Sequence, residues 1–142
     1  MRKIILTLIL LASVAMADGI HWAKDFNLGM KTAQQENKPV LFVIASHECR
    51  YCNLLERTTF VDDRVIKQLN KNFVSIIVFV DDGDYFPREL QTGGLPTIWF
   101  LLPKGKPMFQ PLMGAVKADA FLHALGIVKK EFLKINKKKV GK

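Results

Sequence analysis

The feature that most narrows what this chain can fold into is the join between an apolar run and its only two cysteines. Val40-Leu41-Phe42-Val43-Ile44-Ala45 is an unbroken apolar stretch rich in Val and Ile. Such a run reads as a strand covered on both faces, because a half-exposed strand would alternate with polar residues. It leads directly into Ser46-His47-Glu48-Cys49-Arg50-Tyr51-Cys52. The residues that follow, Asn53 to Arg57, mix helix formers with charge and contain no Gly or Pro. The order predicts a strand, a C-x-x-C pair and a helix, with Cys49 at or near the helix N-terminus.

That placement carries chemistry. A disulfide is attacked by thiolate, not thiol, and the unpaired N–H groups of a helix N-terminus lend positive charge to a sulfur set there. Arg50 and a protonated His47 push the same way, while Glu48 opposes them. Cys49, the first and more exposed cysteine, is the candidate nucleophile. Cys52, one turn further in, is the candidate resolving thiol. A purely structural disulfide fits less well, since closing so short a loop stabilises by only about 2 kcal/mol in the chain-entropy model. A zinc site would need more ligands than these cysteines supply, even with His47 as a third, so no metal is expected. Attachment of c-type haem needs His directly after the second cysteine, where this chain has Asn53.

The first 17 residues read as an address. Arg2 and Lys3 give a positive start, Ile4 to Val14 is almost wholly apolar, and Ala15-Met16-Ala17 is a small-x-small cleavage site. The expectation is a signal peptide cut after Ala17 and an exported protein, which in a bacterium means the periplasm, where disulfides form. Retention of the segment as an anchor is the alternative. Residues 18–136 are then one domain, with 137–142 as a basic tail and no repeat or long linker between. The chain has 49% hydrophobic and 24% charged residues, a globular balance. Loss of Arg2 and Lys3 takes the formal charge from +8 to +6. That moderate excess suits acidic partners or lipid headgroups, and the tail is a candidate for contact with a membrane surface. Nucleic acid is excluded as a partner by the compartment and by the lack of an aromatic–basic recognition motif.

Along the rest of the chain, the recurrence of Trp22, Phe26 and Met30 predicts an amphipathic helix over Asp18–Asn37. Asp62 or Asp63 should cap a short helix burying Val65, Ile66 and Leu69, and Phe73–Val80 should be a buried strand parallel to the first. Asp81-Asp82-Gly83-Asp84 lacks calcium-loop spacing and reads as a solvated turn. Tyr85–Leu90 should hold a helical turn. Pro96 opens an apolar strand that runs to Leu102, and Met108–Met113 should return antiparallel to it. Lys117–Lys134 predicts a helix burying Phe121, Leu122, Leu125, Val128 and Phe132, with Asn136–Lys142 frayed.

Pro39-Val40-Leu41-Phe42, Cys49-x-x-Cys52, Glu56-Arg57-Thr58-Thr59-Phe60 and Gly94-Leu95-Pro96-Thr97 together resemble the thioredoxin family. The likeness runs from about Lys31 to Leu125. It is strongest to the exported branch that includes the C-terminal domain of the membrane thiol:disulfide interchange protein. The resemblance implies an α/β thioredoxin fold: a central mixed sheet, helices on both faces, a strand–CxxC–helix active site and a cis-proline loop. It implies that Leu95 offers its backbone to an extended substrate and that Pro96 packs against the sulfurs and keeps metals away. No cofactor is implied beyond the Cys49–Cys52 pair. The expected activity is thiol–disulfide exchange on exported proteins in the reducing direction, with a membrane thiol donor restoring the dithiol. The alternatives are a disulfide oxidase or isomerase and a non-catalytic binding module. The chain departs from the familiar pattern at Glu48, where tryptophan is common, at Arg50-Tyr51 between the cysteines, and at Val43, where cytosolic thioredoxins carry a buried acid. Glu48 and His47 are candidate proton carriers in its stead; Arg50 and Tyr51 are candidates for tuning the pair or meeting a partner.

Overall fold

The strand β1 (Val40–Ala45) is buried along its whole length because it lies inside a mixed sheet with helices on both faces. The computed structural model describes residues 18–141. Beside β1 runs β2 (Val74–Phe79), parallel, with Val40 opposite Val74 and Ala45 opposite Phe79. On its other side β3 (Thr97–Leu101) is antiparallel, and β4 (Leu112–Met113) pairs antiparallel with β3. The strand order is β2-β1-β3-β4.

Alternation along β1 divides the core into two layers. Leu41, Val43 and Ala45 face Cys52 and Leu55 of α2 (Arg50–Thr58), Val65 and Leu69 of α3 (Asp63–Asn72), and Phe121, Leu125 and Val128 of α4 (Ala118–Val140). Val40, Phe42 and Ile44 face Phe26, Met30 and Ala33 of α1 (Phe26–Glu36). At Gly29 the helix α1 comes so near β2 that an added Cβ would stand 2.5 Å from Ile76 Cδ1. Any larger residue there would have to displace the Ile76 side chain.

Three elements differ from the sequence expectation. The first helix begins at Phe26, not Asp18, because Asp25 caps it by accepting from Leu28 N at 2.8 Å. Ahead of the cap the chain is extended: Trp22 bridges Ser75 in parallel, and Ala23 N donates to Ser75 O at 2.8 Å. Trp22 therefore packs on Phe60 in the opposite layer from Phe26 and Met30, so the fourfold recurrence joined residues of different faces. The expected return strand at Met108–Met113 is reduced to β4 and one bridge, Leu101 to Pro107. Pro107 and Pro111 have no N–H to give a ladder. The last helix runs on through the expected frayed residues to Val140, with Lys137, Lys138 and Lys139 in its final turn, where cations suit the helix dipole. Its stripe is Phe121, Leu125, Val128 and Phe132, with Leu122 half-buried. The expected solvated turn at Asp81–Asp84 is a 3-10 turn (Val80–Asp82) closed by Gly83, and it is bonded to the cysteine loop as described below.

No helix among the described residues is long and apolar enough to cross a membrane. The signal peptide expected over 1–17 lies outside the described residues, as does Lys142.

Candidate active site

Parallel pairing carries β1 and β2 to the same edge of the sheet, and antiparallel β3 starts at that edge. Ile44, one residue short of the end of β1, lies opposite Thr97, so Pro96 enters beside the loop that bears the cysteines. Three segments thus meet there by topology: Ser46–Cys52, Val80–Asp82 and Gly94–Pro96.

Cys49 is the N-cap of α2. Its sulfur accepts from Cys52 N at 3.2 Å, filling one of the donor positions that a helix N-terminus leaves open. Both cysteines are free thiols, Cys49 partly exposed and Cys52 buried. Burial pushes the Cys52 thiol up to about 12, with the neighbouring Cys49 adding to the rise by hydrogen bonding and charge. The Ser46 peptide N–H acts in the other direction on Cys52. One thiol therefore meets solvent with a backbone donor on its sulfur, and the other is held protonated beneath it.

The loop before Cys49 is held by a set of hydrogen bonds. Asp81 Oδ2 accepts from His47 N at 2.8 Å and from Ser46 Oγ at 3.1 Å. Ser46 Oγ accepts from Glu48 N at 3.2 Å, and Ser46 O accepts from Cys49 N at 3.2 Å. Asn53 Nδ2 donates to His47 O at 3.1 Å. The His47 ring lies flat on Phe79, centroids 4.0 Å apart, and its Nε2 is 2.9 Å from Asp82 Oδ2. The Asp82 hydrogen bond raises His47 above its ordinary value of 6.5; desolvation opposes it, and the charges of Asp82, Asp81 and Glu56 add to the rise. Asp81 is lowered: desolvation would raise it, but the donors at His47 and Ser46 prevail.

A pH dependence follows. His47 binds its proton more tightly folded than unfolded, so the stabilisation is full below 6.5 and fades as pH climbs through the higher folded value. Between about pH 6 and about pH 8 the thermal midpoint should fall more in the natural chain than in His47→Phe, which keeps a stacking ring. Identical slopes in the two proteins would show that the exposed pair contributes nothing.

The proline side is built from hydroxyls. Thr97, fully buried, donates from Oγ1 to Gly94 O at 2.7 Å and meets the Thr92 hydroxyl, which reaches Gly94 O at 3.2 Å. The Leu95–Pro96 peptide is cis. Pro96 is buried, and half-buried Leu95 packs against both core layers. Pro96 O accepts from Gly114 N at 3.1 Å, and Gly114 takes the turn after β4 at φ 81°, a conformation that favours glycine. Ile44, Val80, Gly94 and Leu95 help line a cleft of about 230 Å³ at this edge.

Of the residues expected from sequence, Cys49, Cys52, His47 and Glu48 share one loop–helix junction, with Leu95 and Pro96 entering at the same sheet edge. Arg50, Glu48 and Tyr51 are exposed around Cys49, Tyr51 at 59%. They form a rim. Ser46, Asp81, Asp82 and Phe79 were not expected there. The signal for them was available: the carboxyl ends of adjacent parallel strands lie together, and acids directly after β2 must sit near whatever follows β1.

A dithiol whose first sulfur caps a helix, with a cis-proline entering at the same edge of a mixed sheet, defines a thioredoxin-fold protein. A family model described as a thioredoxin-like domain matches residues 26–129, and the chain belongs to that family. A solved thioredoxin from Thermus thermophilus is 26% identical with a TM-score of 0.66, covering 78% of this chain and 88% of that one. The oxidised DsbD C-terminal domain of Neisseria meningitidis is 25% identical with a TM-score of 0.54, covering 68% and 87%. Among curated relatives, spermatogenesis-associated protein 20 of Rattus norvegicus is 28% identical over 106 residues, or 68% of this chain. The matched stretch is only 12% of that relative's length.

Proposed function

We propose that the protein is a thiol–disulfide oxidoreductase that reduces disulfides in exported proteins. The observation that carries this is the asymmetry of the pair: Cys49, partly exposed, accepts a backbone N–H, and Cys52 is buried and protonated. The Cys49 thiolate attacks one sulfur of a substrate disulfide, forming a mixed disulfide and expelling the first substrate thiolate, which takes up a proton. Cys52 then loses its proton and attacks Cys49, releasing the second substrate thiol and leaving a Cys49–Cys52 disulfide. Two electrons pass to the substrate, and a membrane thiol donor returns them. Leu95 beside the cleft is where an extended substrate backbone would lie, with Tyr51 and Arg50 on the rim.

The reducing direction rests on the likeness to the C-terminal domain of the membrane thiol:disulfide interchange protein. Placement in the periplasm rests on the leader-like residues 1–17. The lysines of the last helical turn are suited to an anionic membrane surface.

The reduction potential of the pair tests the reading, measured by equilibration in glutathione and dithiothreitol buffers with alkylation of free thiols. A value near about −270 mV supports a reductase. A value towards about −120 mV would reassign the protein as an oxidase. A pair that does not cycle would leave a binding module.

A further inference from the structure

We propose that Asp81 is a positioning residue for the cysteine pair, and that Asp82 through His47 makes the positioning respond to pH. The proposal rests on the exchange reading for its chemistry and on loop geometry for its argument.

The parallel ladder already joins β1 to β2 as far as Ala45 and Phe79, so the strands need no further tie. The bonds from Asp81 reach one step beyond the ladder, into the loop itself. Three consecutive peptide donors are accounted for in that loop: His47 N–H to Asp81, Glu48 N–H to Ser46 Oγ, and Cys49 N–H to Ser46 O. Ser46 Oγ occupies its place because it also donates to Asp81. Remove that carboxylate and two donors lose their acceptor at once, Ser46 Oγ and His47 N–H, and Ser46 is also the residue whose carbonyl holds the Cys49 N–H. Asp81 touches neither sulfur. It acts through Ser46 and His47.

Charge makes the device pH-sensitive. His47 is faced by Asp81 and Asp82 from the turn after β2 and by Glu56 from α2, with the Phe79 ring beneath it. Protonated, it bonds Asp82 and offsets part of that negative charge near Cys49. Neutral, it leaves the acids uncompensated, which opposes a thiolate. Reciprocally, a thiolate at Cys49 favours the imidazolium.

The test uses the full reduced protein and needs no substrate. Iodoacetamide alkylation of Cys49 is followed against pH, together with the equilibrium against glutathione. Asp81→Ala should slow alkylation at neutral pH about tenfold, the scale of one lost hydrogen bond to a charged group. It should also shift the dithiol–disulfide equilibrium about tenfold toward the disulfide, about 30 mV more reducing. Asp81→Asn should alkylate at least as fast as the natural protein, because one amide oxygen can accept both donors and a negative charge that opposes the thiolate is gone. In Asp82→Asn the His47 titration, read by NMR, should move down toward 6.5. Wild-type alkylation and potential in Asp81→Ala would overturn the positioning role, as would an Asp81→Asn as impaired as Asp81→Ala. An unmoved His47 titration in Asp82→Asn would overturn the pH response. Ser46→Ala, which removes one of the same bonds, serves if Asp81→Ala does not fold. Should the natural protein fail to turn over any disulfide, the exchange reading falls while the alkylation contrast still stands or falls alone.

Discussion

Cys52→Ser should turn the protein into a trap that holds its substrates covalently. The donor that supports the Cys49 sulfur is the peptide N–H of residue 52, so replacing the side chain leaves it in place at 3.2 Å. The first attack therefore proceeds, and the mixed disulfide forms. The second does not, because a serine hydroxyl cannot displace a thiolate from sulfur under these conditions. Steady-state turnover should fall by several orders of magnitude, as when one member of a concerted catalytic set is lost. A species that migrates as protein plus substrate and collapses with dithiothreitol should accumulate. Cys49→Ala should lose both turnover and that species. The buried thiol also explains why resolution waits. Desolvation holds Cys52 protonated, with Cys49 adding to the effect. Once Cys49 is in a mixed disulfide it carries no charge, the Cys49 contribution falls away, and Cys52 becomes easier to deprotonate. Resolution should accordingly speed up as pH rises. Undiminished turnover in Cys52→Ser, with no covalent species, would sink the two-thiol mechanism.

How far the sequence reveals this site depends on whether the deciding forces are local. The run Val40–Ala45 and the cysteines after it sit on adjacent residues, so strand, N-cap and helix were all legible, as was a cap at Asp62 or Asp63, which the structure places at Asp62. The parallel pairing of β1 and β2 followed from the length of the crossover. The extent of the first helix was not legible, because Trp22 is drawn off by a partner more than fifty residues away: the backbone bridge to Ser75 and the Phe60 ring fix it, and neither leaves a periodic trace. The acidic turn is exposed, as expected, but its bonds to the cysteine loop were not legible, for the same reason. Judged alone, three acids and a glycine have no structural task; placed two residues beyond the β1–β2 ladder, Asp81 faces Ser46 and His47. The extension of α4 over Asn136–Val140 was missed because a lysine cluster looks like a solvated tail until its fit to a helix C-terminus is considered.

Phe121→Ala should be the most costly core substitution near the site. Phe121 is fully buried at the start of α4. Its ring meets Phe60 edge-on at 5.8 Å and Phe100 of β3 at 6.3 Å, so one side chain joins the last helix, the turn after α2 and the sheet. Thr59 Oγ1 donates to Val116 O at 2.6 Å nearby, fixing the backbone on both sides of the contact and limiting how far the site can collapse into a cavity. Truncation there should cost about 3–5 kcal/mol. The thermal midpoint should fall by on the order of 10 °C. Leu133→Ala, on the same helix but half exposed, should cost far less. The loss should also reach the chemistry, since Phe121 belongs to the same layer as Cys52 and Leu55. Loosened packing in that layer weakens the desolvation that keeps Cys52 protonated, and should lower the pH at which a mixed disulfide resolves. Denaturant unfolding and the pH profile of resolution can be read from one preparation. A Phe121→Ala protein within about 1 kcal/mol of the natural chain would mean that this layer does not set the stability of the fold. A large loss with an unmoved pH profile would mean instead that the desolvation of Cys52 is set by α2 and β1 alone.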